Sequence, residues 1–82
     1  MVLRSRIIGC GGYLPDRIMT NDELSGLVDT TDEWITGRSG IRQRHIAAEG
    51  ELTSDLAVNA AKAALKDAGI SVDDIDLIVL AT

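Results

Sequence analysis

The sequence predicts an α/β fold, and three segments of its 82 residues support that prediction. Residues 3–10 begin with polar and apolar alternation and become apolar, which is typical of a strand. Residues 54–68 repeat apolar positions at helical spacing, and residues 75–82 are almost continuously apolar. Continuous apolarity is typical of a strand in a parallel sheet that is covered on both faces. The last two segments therefore predict the helix and second strand of a βαβ unit.

Composition excludes several classes of protein. Hydrophobic residues are 45% and charged residues 26%, which is typical of a folded domain rather than a disordered chain. The net charge of −5 means that nucleic acid is not an expected partner. The longest apolar run, residues 77–81, is too short to span a membrane. No secretory signal follows the charged start, so we expect a cytoplasmic protein. The single cysteine, Cys10, excludes a disulfide framework and a cysteine-based structural zinc site, and the single histidine leaves little for a metal.

The charges are unevenly distributed along the chain. All six arginines lie in residues 1–44, where six acidic residues balance them, so that residues 45–82 carry the whole net charge. Arg38, Arg42 and Arg44 form a basic cluster, and such a cluster is able to bind one anionic small molecule.

The first predicted strand gives way to a short helix. The strand at residues 3–10 ends at two glycines and a proline, which do not continue a hydrogen-bonded ladder. Thr20 and Glu23 then have the spacing of a capping box, in which the threonine hydroxyl and the glutamate carboxylate satisfy the first backbone N–H groups of a helix. We expect this helix to continue to about Val28.

A second capping signal follows, with Thr30 as the expected N-cap and Glu33 three residues later. Gly37 and Gly40 are expected to close this helix. Residues 41–47 alternate in a way that predicts an edge strand with one charged side.

The clearest helix covers residues 54–68, with Thr53 or Ser54 as its cap and Gly69 just beyond its end. Its small side chains would let it lie close to a neighbouring element. The expected buried face consists of Leu56, Ala60, Ala63, Ala64, Leu65 and Ala68. Residues 71–74 predict a turn or a single helical turn before the last apolar segment.

Two motifs invite functional interpretations that the residues do not support. Gly9-Cys10-Gly11-Gly12 follows a predicted strand, but Leu14 stands where a dinucleotide-binding motif requires its third glycine. A tight turn is the better interpretation. Cys10 has no activating partner nearby in sequence, which favours a small buried cysteine over a nucleophile. His45 is more consistent with a structural or an exposed position than with a catalytic role.

Trp34 and Arg38 form a more informative pair. Residues four apart are neighbours on one face of a helix. An indole face and a guanidinium plane can hold a flat heterocycle between them, and the other arginines can meet phosphates. On physical grounds alone, however, a tryptophan on a short amphipathic helix is more often part of a core.

These residues lie within a longer pattern. Its parts are residues 12–15 (Gly-Tyr-Leu-Pro), 20–24 (Thr-Asn-Asp-Glu-Leu), 29–35 (Asp-Thr-Thr-Asp-Glu-Trp-Ile), 38–41 (Arg-Ser-Gly-Ile), 44–45 (Arg-His), 68–70 (Ala-Gly-Ile) and 76–82 (Asp-Leu-Ile-Val-Leu-Ala-Thr). The pattern resembles the N-terminus of β-ketoacyl-acyl carrier protein synthase III, a family of the thiolase superfamily. The resemblance covers essentially all 82 residues, and its Asp-Glu-Trp-Ile-x-x-Arg block is specific within that superfamily.

The resemblance implies a thiolase-like α/β fold, of which residues 1–82 would be the incomplete N-terminal part. Such enzymes are homodimeric acyltransferases without a prosthetic group. They join a short acyl-coenzyme A to malonyl-acyl carrier protein with decarboxylation, which starts fatty acid synthesis. Acyl-coenzyme A and acyl carrier protein are therefore the implied partners.

The resemblance also assigns residues to the coenzyme A site. Trp34 would stack on the adenine, Arg38 would assist at the nucleotide end, and Thr30 would line the same site. Ser39 holds a position where the family usually has threonine, so the hydroxyl is kept. Gly37 is a departure that loosens the turn before Arg38.

The family's catalytic cysteine, histidine and asparagine all lie beyond these 82 residues, so this piece alone is expected to be inactive. Two alternatives remain open. One is a related enzyme that primes polyketide or quinolone synthesis, since acyl-chain specificity depends mostly on other parts of the enzyme. The other is a free-standing acidic binding module without activity, which would have to be a folded monomer.

Overall fold

The computed structural model of the chain describes residues 2–82. Its elements are β1 (Arg17–Thr20), α1 (Asn21–Ser25), α2 (Asp32–Ser39), β2 (Gln43–Ile46), α3 (Thr53–Ala68) and a 3₁₀ turn (Val72–Asp74). The chain divides into two compact units. One is Leu14–Glu51, which we call the hairpin unit, and the other joins the segment up to Tyr13 with Leu52–Thr82, which we call the α3 unit.

The hairpin unit contains a two-stranded antiparallel sheet. β1 pairs with β2 so that Ile18 lies opposite His45 and Met19 opposite Arg44. Met19 is only 7% exposed, whereas the preceding Ile18 is 48% exposed, as expected for side chains that alternate between the faces of a strand. β2 confirms the strand predicted within residues 41–47. β1 was not predicted, because four residues between a proline and a helix cap show too short a pattern.

α1 begins as predicted and ends early. The Thr20 hydroxyl accepts a hydrogen bond from the backbone N–H of Glu23 at 3.2 Å, so the predicted cap is confirmed. The helix stops at Ser25 rather than near Val28, because the N–H of Gly26 already bonds back to the Glu23 and Leu24 carbonyls as the helix C-cap.

α2 begins one residue later than predicted. The hydroxyl of Thr31 accepts a hydrogen bond from the N–H of Trp34 at 3.2 Å, so Thr31 is the N-cap and the assignment of Thr30 to that role is wrong. Two adjacent threonines offer the same cap chemistry, and the local sequence does not separate them. Gly37 lies inside the helix instead of closing it, while Gly40 is the left-handed C-cap, with φ of 72°.

α3 confirms the longest predicted helix and its small-residue face. Its N-cap is Leu52, so neither Thr53 nor Ser54 has the expected capping role. The N–H of Leu52 instead donates to the Asp55 carboxylate at 2.8 Å, and Gly69 closes the helix as expected. The partly buried residues of α3 are Leu56, Ala57, Ala60, Ala63, Ala64, Leu65 and Ala68. The predicted turn after α3 is the 3₁₀ turn.

The glycines before Tyr13 lie against α3. A Cβ atom added to Gly9 would lie 2.6 Å from the Ala68 Cβ, and one added to Gly11 would lie 2.7 Å from the Ala60 carbonyl oxygen. Residues 9–12 form no turn, so the predicted tight turn is wrong, and Gly9 and Gly11 instead allow backbone and helix to approach. Cys10 is exposed rather than buried, and its N–H donates to the Asp67 carboxylate at 3.0 Å.

The two strands predicted at residues 3–10 and 75–82 are absent from the described part of the chain. A strand is defined by hydrogen bonds to a neighbour, and neither segment has a ladder partner within residues 2–82. Their apolar side chains are exposed instead, Leu77 by 79% and Val79 by 86%. None of the helices in the described range has the length and apolarity needed to cross a membrane.

Candidate functional site

α2 presents an aromatic ring and a cation together on its exposed face. Trp34 is 60% exposed, and the guanidinium carbon of Arg38 lies 5.4 Å from the centroid of its indole ring. This distance is within the range of a cation–π contact. Among residues 2–82 Trp34 is therefore not part of a core, and the predicted adjacency of the two side chains is confirmed.

A shallow recess adjoins the indole at the start of α2. Asp29, Thr30, Thr31 and Trp34 line this recess, which we call the α2 recess and which has a volume of about 270 Å³. The hydroxyl oxygen of Thr30 is buried and has no hydrogen-bond partner among the described residues. A buried hydroxyl without a partner is unfavourable, so Thr30 Oγ1 has hydrogen-bonding capacity that the described residues do not use.

Ser39 lies at the other end of α2 and already has two partners. Its hydroxyl donates to the Ile35 carbonyl at 2.7 Å and accepts from the N–H of Ile41 at 3.1 Å. These bonds satisfy backbone groups where the helix ends. The structure thus brings Thr30 and Trp34 together in one recess, places Arg38 over the indole, and gives Ser39 a role in ending the helix.

The three arginines predicted to form a basic cluster do not act alike. Arg38 contacts the indole, and Arg42 is exposed. Arg44 is partly buried, and its guanidinium donates to the carbonyls of Met19 at 3.2 Å and Thr20 at 3.3 Å. Arg44 is thus engaged with the protein's own backbone, and Arg38 is the arginine of the three that lies beside the indole.

Asn21, a residue that the sequence did not single out, is the most buried side chain of the hairpin unit, with 1% exposure. Its amide nitrogen donates to the Asp32 carboxylate at 2.8 Å, to the Ile41 carbonyl at 2.8 Å and, more weakly, to the Thr36 hydroxyl at 3.3 Å. Its amide oxygen accepts from the Arg44 guanidinium at 2.6 Å. In the sequence, the only feature that sets Asn21 apart is its position directly after Thr20, the predicted helix cap.

His45 is partly buried and is bonded to the backbone of its own unit. Its Nδ1 lies 2.5 Å from the carbonyl oxygen of Pro15, so this ring nitrogen donates to the backbone of the hairpin unit. Within residues 2–82, no three His, Cys, Asp or Glu side chains come close enough together to hold a metal ion.

Curated relatives match the whole chain, although no family model matches it. β-Ketoacyl-[acyl-carrier-protein] synthase III of Paramagnetospirillum magneticum is 67% identical over 82 residues, all of this chain and 25% of the relative. The enzyme of the same name from Bradyrhizobium diazoefficiens is 61% identical over 80 residues, 98% of this chain and 24% of the relative. The chain therefore spans about a quarter of the length of these relatives.

Solved structures agree with the sequence matches. 3-Oxoacyl-[acyl-carrier-protein] synthase III from Aquifex aeolicus superposes with a TM-score of 0.75 at 50% identity, covering 85% of this chain and 22% of that one. The priming β-ketosynthase of a polyketide pathway gives 0.78 at 41% identity, covering 87% and 21%. The prediction of a thiolase-like α/β fold is confirmed by these matches. Sequence and structure together place the chain in the β-ketoacyl-[acyl-carrier-protein] synthase III family, and it corresponds to about a quarter of a family member.

Proposed function

We propose that the protein containing these residues condenses a short acyl-coenzyme A with malonyl-acyl carrier protein, with loss of carbon dioxide, and so starts fatty acid synthesis. The chain would supply the nucleotide end of the coenzyme A site. The observation that carries this role is the exposed Trp34 indole with the Arg38 guanidinium over it. An exposed flat aromatic surface next to a cation suits the adenine and phosphates of coenzyme A.

The spacing of the pair constrains how an adenine would bind. Two stacked contacts of about 3.5 Å each require roughly 7 Å between the planes that enclose a ring. The observed 5.4 Å between guanidinium and indole is shorter, so Arg38 would move outward to admit the base. No carboxylate within residues 2–82 forms an ion pair with Arg38, which leaves this exposed side chain able to move.

Thr30 and Ser39 would contribute differently. The unpaired Thr30 hydroxyl is buried next to the α2 recess and would turn toward it to exchange a hydrogen bond with a polar edge of the ligand. Ser39 would act through the end of α2, because both of its bonds go to backbone groups on either side of the helix terminus. We propose Thr30, Trp34 and Arg38 as ligand contacts and Ser39 as a support.

The remaining steps would depend on residues outside these 82. We propose that residues 1–82 are the N-terminal part of a thiolase-like domain in a cytoplasmic homodimer, which uses acyl carrier protein as its second partner. The only cysteine here is in the α3 unit beside Asp67, and the only histidine is bonded to Pro15. Neither shows the nucleophile and base pairing that acyl transfer requires, so the isolated piece should be inactive.

A polyketide-priming enzyme is the closest alternative. The solved priming β-ketosynthase superposes as well as the Aquifex enzyme, so the fold does not separate the two functions. Sequence favours fatty acid initiation. Relatives named β-ketoacyl-[acyl-carrier-protein] synthase III reach 67% identity to this chain, whereas the polyketide-priming enzyme reaches 41%.

The nucleotide site is tested in the full-length enzyme with two substrates, an acyl-coenzyme A and the corresponding acyl-pantetheine thioester, which lacks adenine. Trp34→Ala should raise KM for the acyl-coenzyme A by about 5- to 150-fold, because base–aromatic stacking contributes about 1–3 kcal/mol. Arg38→Ala should also raise it, and this effect should shrink as salt increases. KM for the truncated thioester should change little with either variant.

Lys62→Ala is the matched control, since it removes an exposed cation from α3 instead of α2. It should leave both KM values unchanged. Equal defects of Trp34→Ala with both thioesters would return the tryptophan to a packing role and would contradict the proposed site. A full-length protein that binds acyl-coenzyme A but never condenses it would favour the binding-module alternative.

A further inference from the structure

We propose that Asn21 is a positioning residue that sets where α2 presents Trp34 and Arg38 to the nucleotide. The proposal rests on the function proposed above and goes beyond it, because Asn21 touches neither side chain in the contacts described. Its amide group bonds instead to the opposite side of α2 and to the chain just after it.

The contacts of Asn21 are spread along α2. Asp32 lies in the first turn, Thr36 one turn later and Ile41 just after the C-cap, so a single buried amide is bonded to two turns of the helix and to the chain just beyond it. A hydrogen bond from Thr36 Oγ1 to the Asp32 carboxylate at 3.2 Å links two of these partners. Fixing a short helix at several levels restricts both its rotation and its translation.

The helical period relates this network to the ligand face. Asp32 and Thr36 are four residues apart, and so are Trp34 and Arg38, with the second pair offset by two residues. Two residues correspond to roughly 200° around a helix with 3.6 residues per turn. The side that bonds to Asn21 is therefore opposite to the side that carries the indole and the guanidinium, and rotation of one side moves the other.

Charge fixes the orientation of the amide. Its nitrogen faces the Asp32 carboxylate and its oxygen faces the Arg44 guanidinium, which is the arrangement that lowers the electrostatic energy of both. Arg44 is in turn bonded to the carbonyls of Met19 and Thr20 at the end of β1. The bond between Asn21 and Arg44 thereby links the position of α2 to β1 and β2, which form the one sheet of the described chain.

The test uses the full-length enzyme and compares an acyl-coenzyme A with the corresponding acyl-pantetheine thioester. Asn21→Ala removes all of the amide bonds to α2, so KM for the acyl-coenzyme A should rise on the order of tenfold, in the lower part of the range expected for complete loss of the stacking contact. kcat, and KM for the truncated thioester, should remain within twofold (roughly the scatter between preparations). Asn59→Ala, an exposed asparagine of α3, is the matched control and should change nothing.

Asn21→Asp keeps a partner for Arg44 and places a carboxylate against that of Asp32, so it should show the same selective defect if the alanine variant fails to fold. A double-mutant cycle supplies the decisive readout. If Asn21 acts by positioning Trp34 and Arg38, then Asn21→Ala should affect coenzyme A discrimination less in a Trp34→Ala background, where only Arg38 is left to be displaced.

The outcomes separate this proposal from the proposed function. A selective defect of Trp34→Ala together with an equal defect of Asn21→Ala on both thioesters would overturn the positioning role alone and leave the nucleotide site in place. Fully additive effects in the double-mutant cycle would overturn it as well. If Trp34→Ala itself showed no selectivity for the acyl-coenzyme A, the proposed site and the positioning role would both be rejected.

Discussion

Gly11 and Gly12 are adjacent residues with opposite surroundings. A Cβ atom on Gly11 would collide with the backbone of α3 at Ala60 and Ala64, whereas one on Gly12 would meet nothing within 4 Å. Backbone atoms inside a helix cannot move aside as a side chain can. The spacing of small residues on α3 thus limits the residue opposite it to glycine.

Gly11→Ala should therefore lower the stability of the full-length protein by about 1–3 kcal/mol, which is the usual effect of overpacking. Gly12→Ala should be close to neutral. Thermal unfolding of the two variants beside the parent protein measures this difference. Equal midpoints for the two alanine variants would show that Gly11 does not approach α3 as closely as described.

For single residues, the sequence predicted the side chains that have distinctive chemistry. It did not predict those whose role depends on contacts with distant residues. The four-residue spacing of Trp34 and Arg38 predicted their contact, because helix geometry alone brings them together. The importance of Asn21 depends on partners up to 23 residues away, which no local pattern reveals. Cys10 was expected to be buried within a strand, and it is exposed because that strand is not paired.

Two glycines of α2 are expected to respond in opposite ways to the addition of a side chain. It contains Gly37 in its interior and ends at Gly40, whose φ of 72° lies in the left-handed region. A side chain at Gly40 would force a strained backbone, by about 1–2 kcal/mol. A side chain at Gly37 would meet nothing within 4 Å and would remove the entropic disadvantage of glycine in a helix.

Gly37→Ala should raise the stability of the full-length enzyme by about 0.5–1 kcal/mol, and Gly40→Ala should lower it by about 1–2 kcal/mol. Differential scanning calorimetry of both variants beside the parent enzyme measures these two changes in stability. Destabilisation by Gly37→Ala would mean that the helix does not continue through that residue, contrary to the structure.

The elements also show where pattern reasoning succeeds. α3 was predicted nearly to the residue, since sixteen residues offer several helical periods and a closing glycine. The start of α2 was displaced by one residue because two threonines compete for the cap. Strands were predicted less well, because a strand depends on a partner elsewhere in the chain, and apolar residues alone do not supply one.

For the whole molecule, the main feature is the amount of apolar surface. Leu77, Ile78 and Val79 are each more than three-quarters exposed, and so are Leu3 and Ile7 near the start. Contiguous apolar surface of this kind normally contacts another protein surface. The 82 residues produced alone should therefore form oligomers or aggregates and should lack a sharp unfolding transition.

Size-exclusion chromatography with light scattering, combined with thermal melting, tests this expectation on the 82-residue polypeptide. Val79→Lys should reduce association by placing a charge within the apolar segment. Asn59→Lys adds the same charge at an already polar, exposed position and should not reduce it. A monodisperse monomer with a cooperative melt would contradict the expectation and favour the free-standing module.

The division into two units has a consequence for how unfolding of this polypeptide is observed. Trp34, its single tryptophan, belongs to the hairpin unit, whereas the sixteen residues of α3 belong to the other unit. Tryptophan emission would therefore report on one unit, and far-ultraviolet circular dichroism would be dominated by the other. Superimposable curves from the two probes would indicate one cooperative transition, and separated curves would indicate that each unit loses its structure independently.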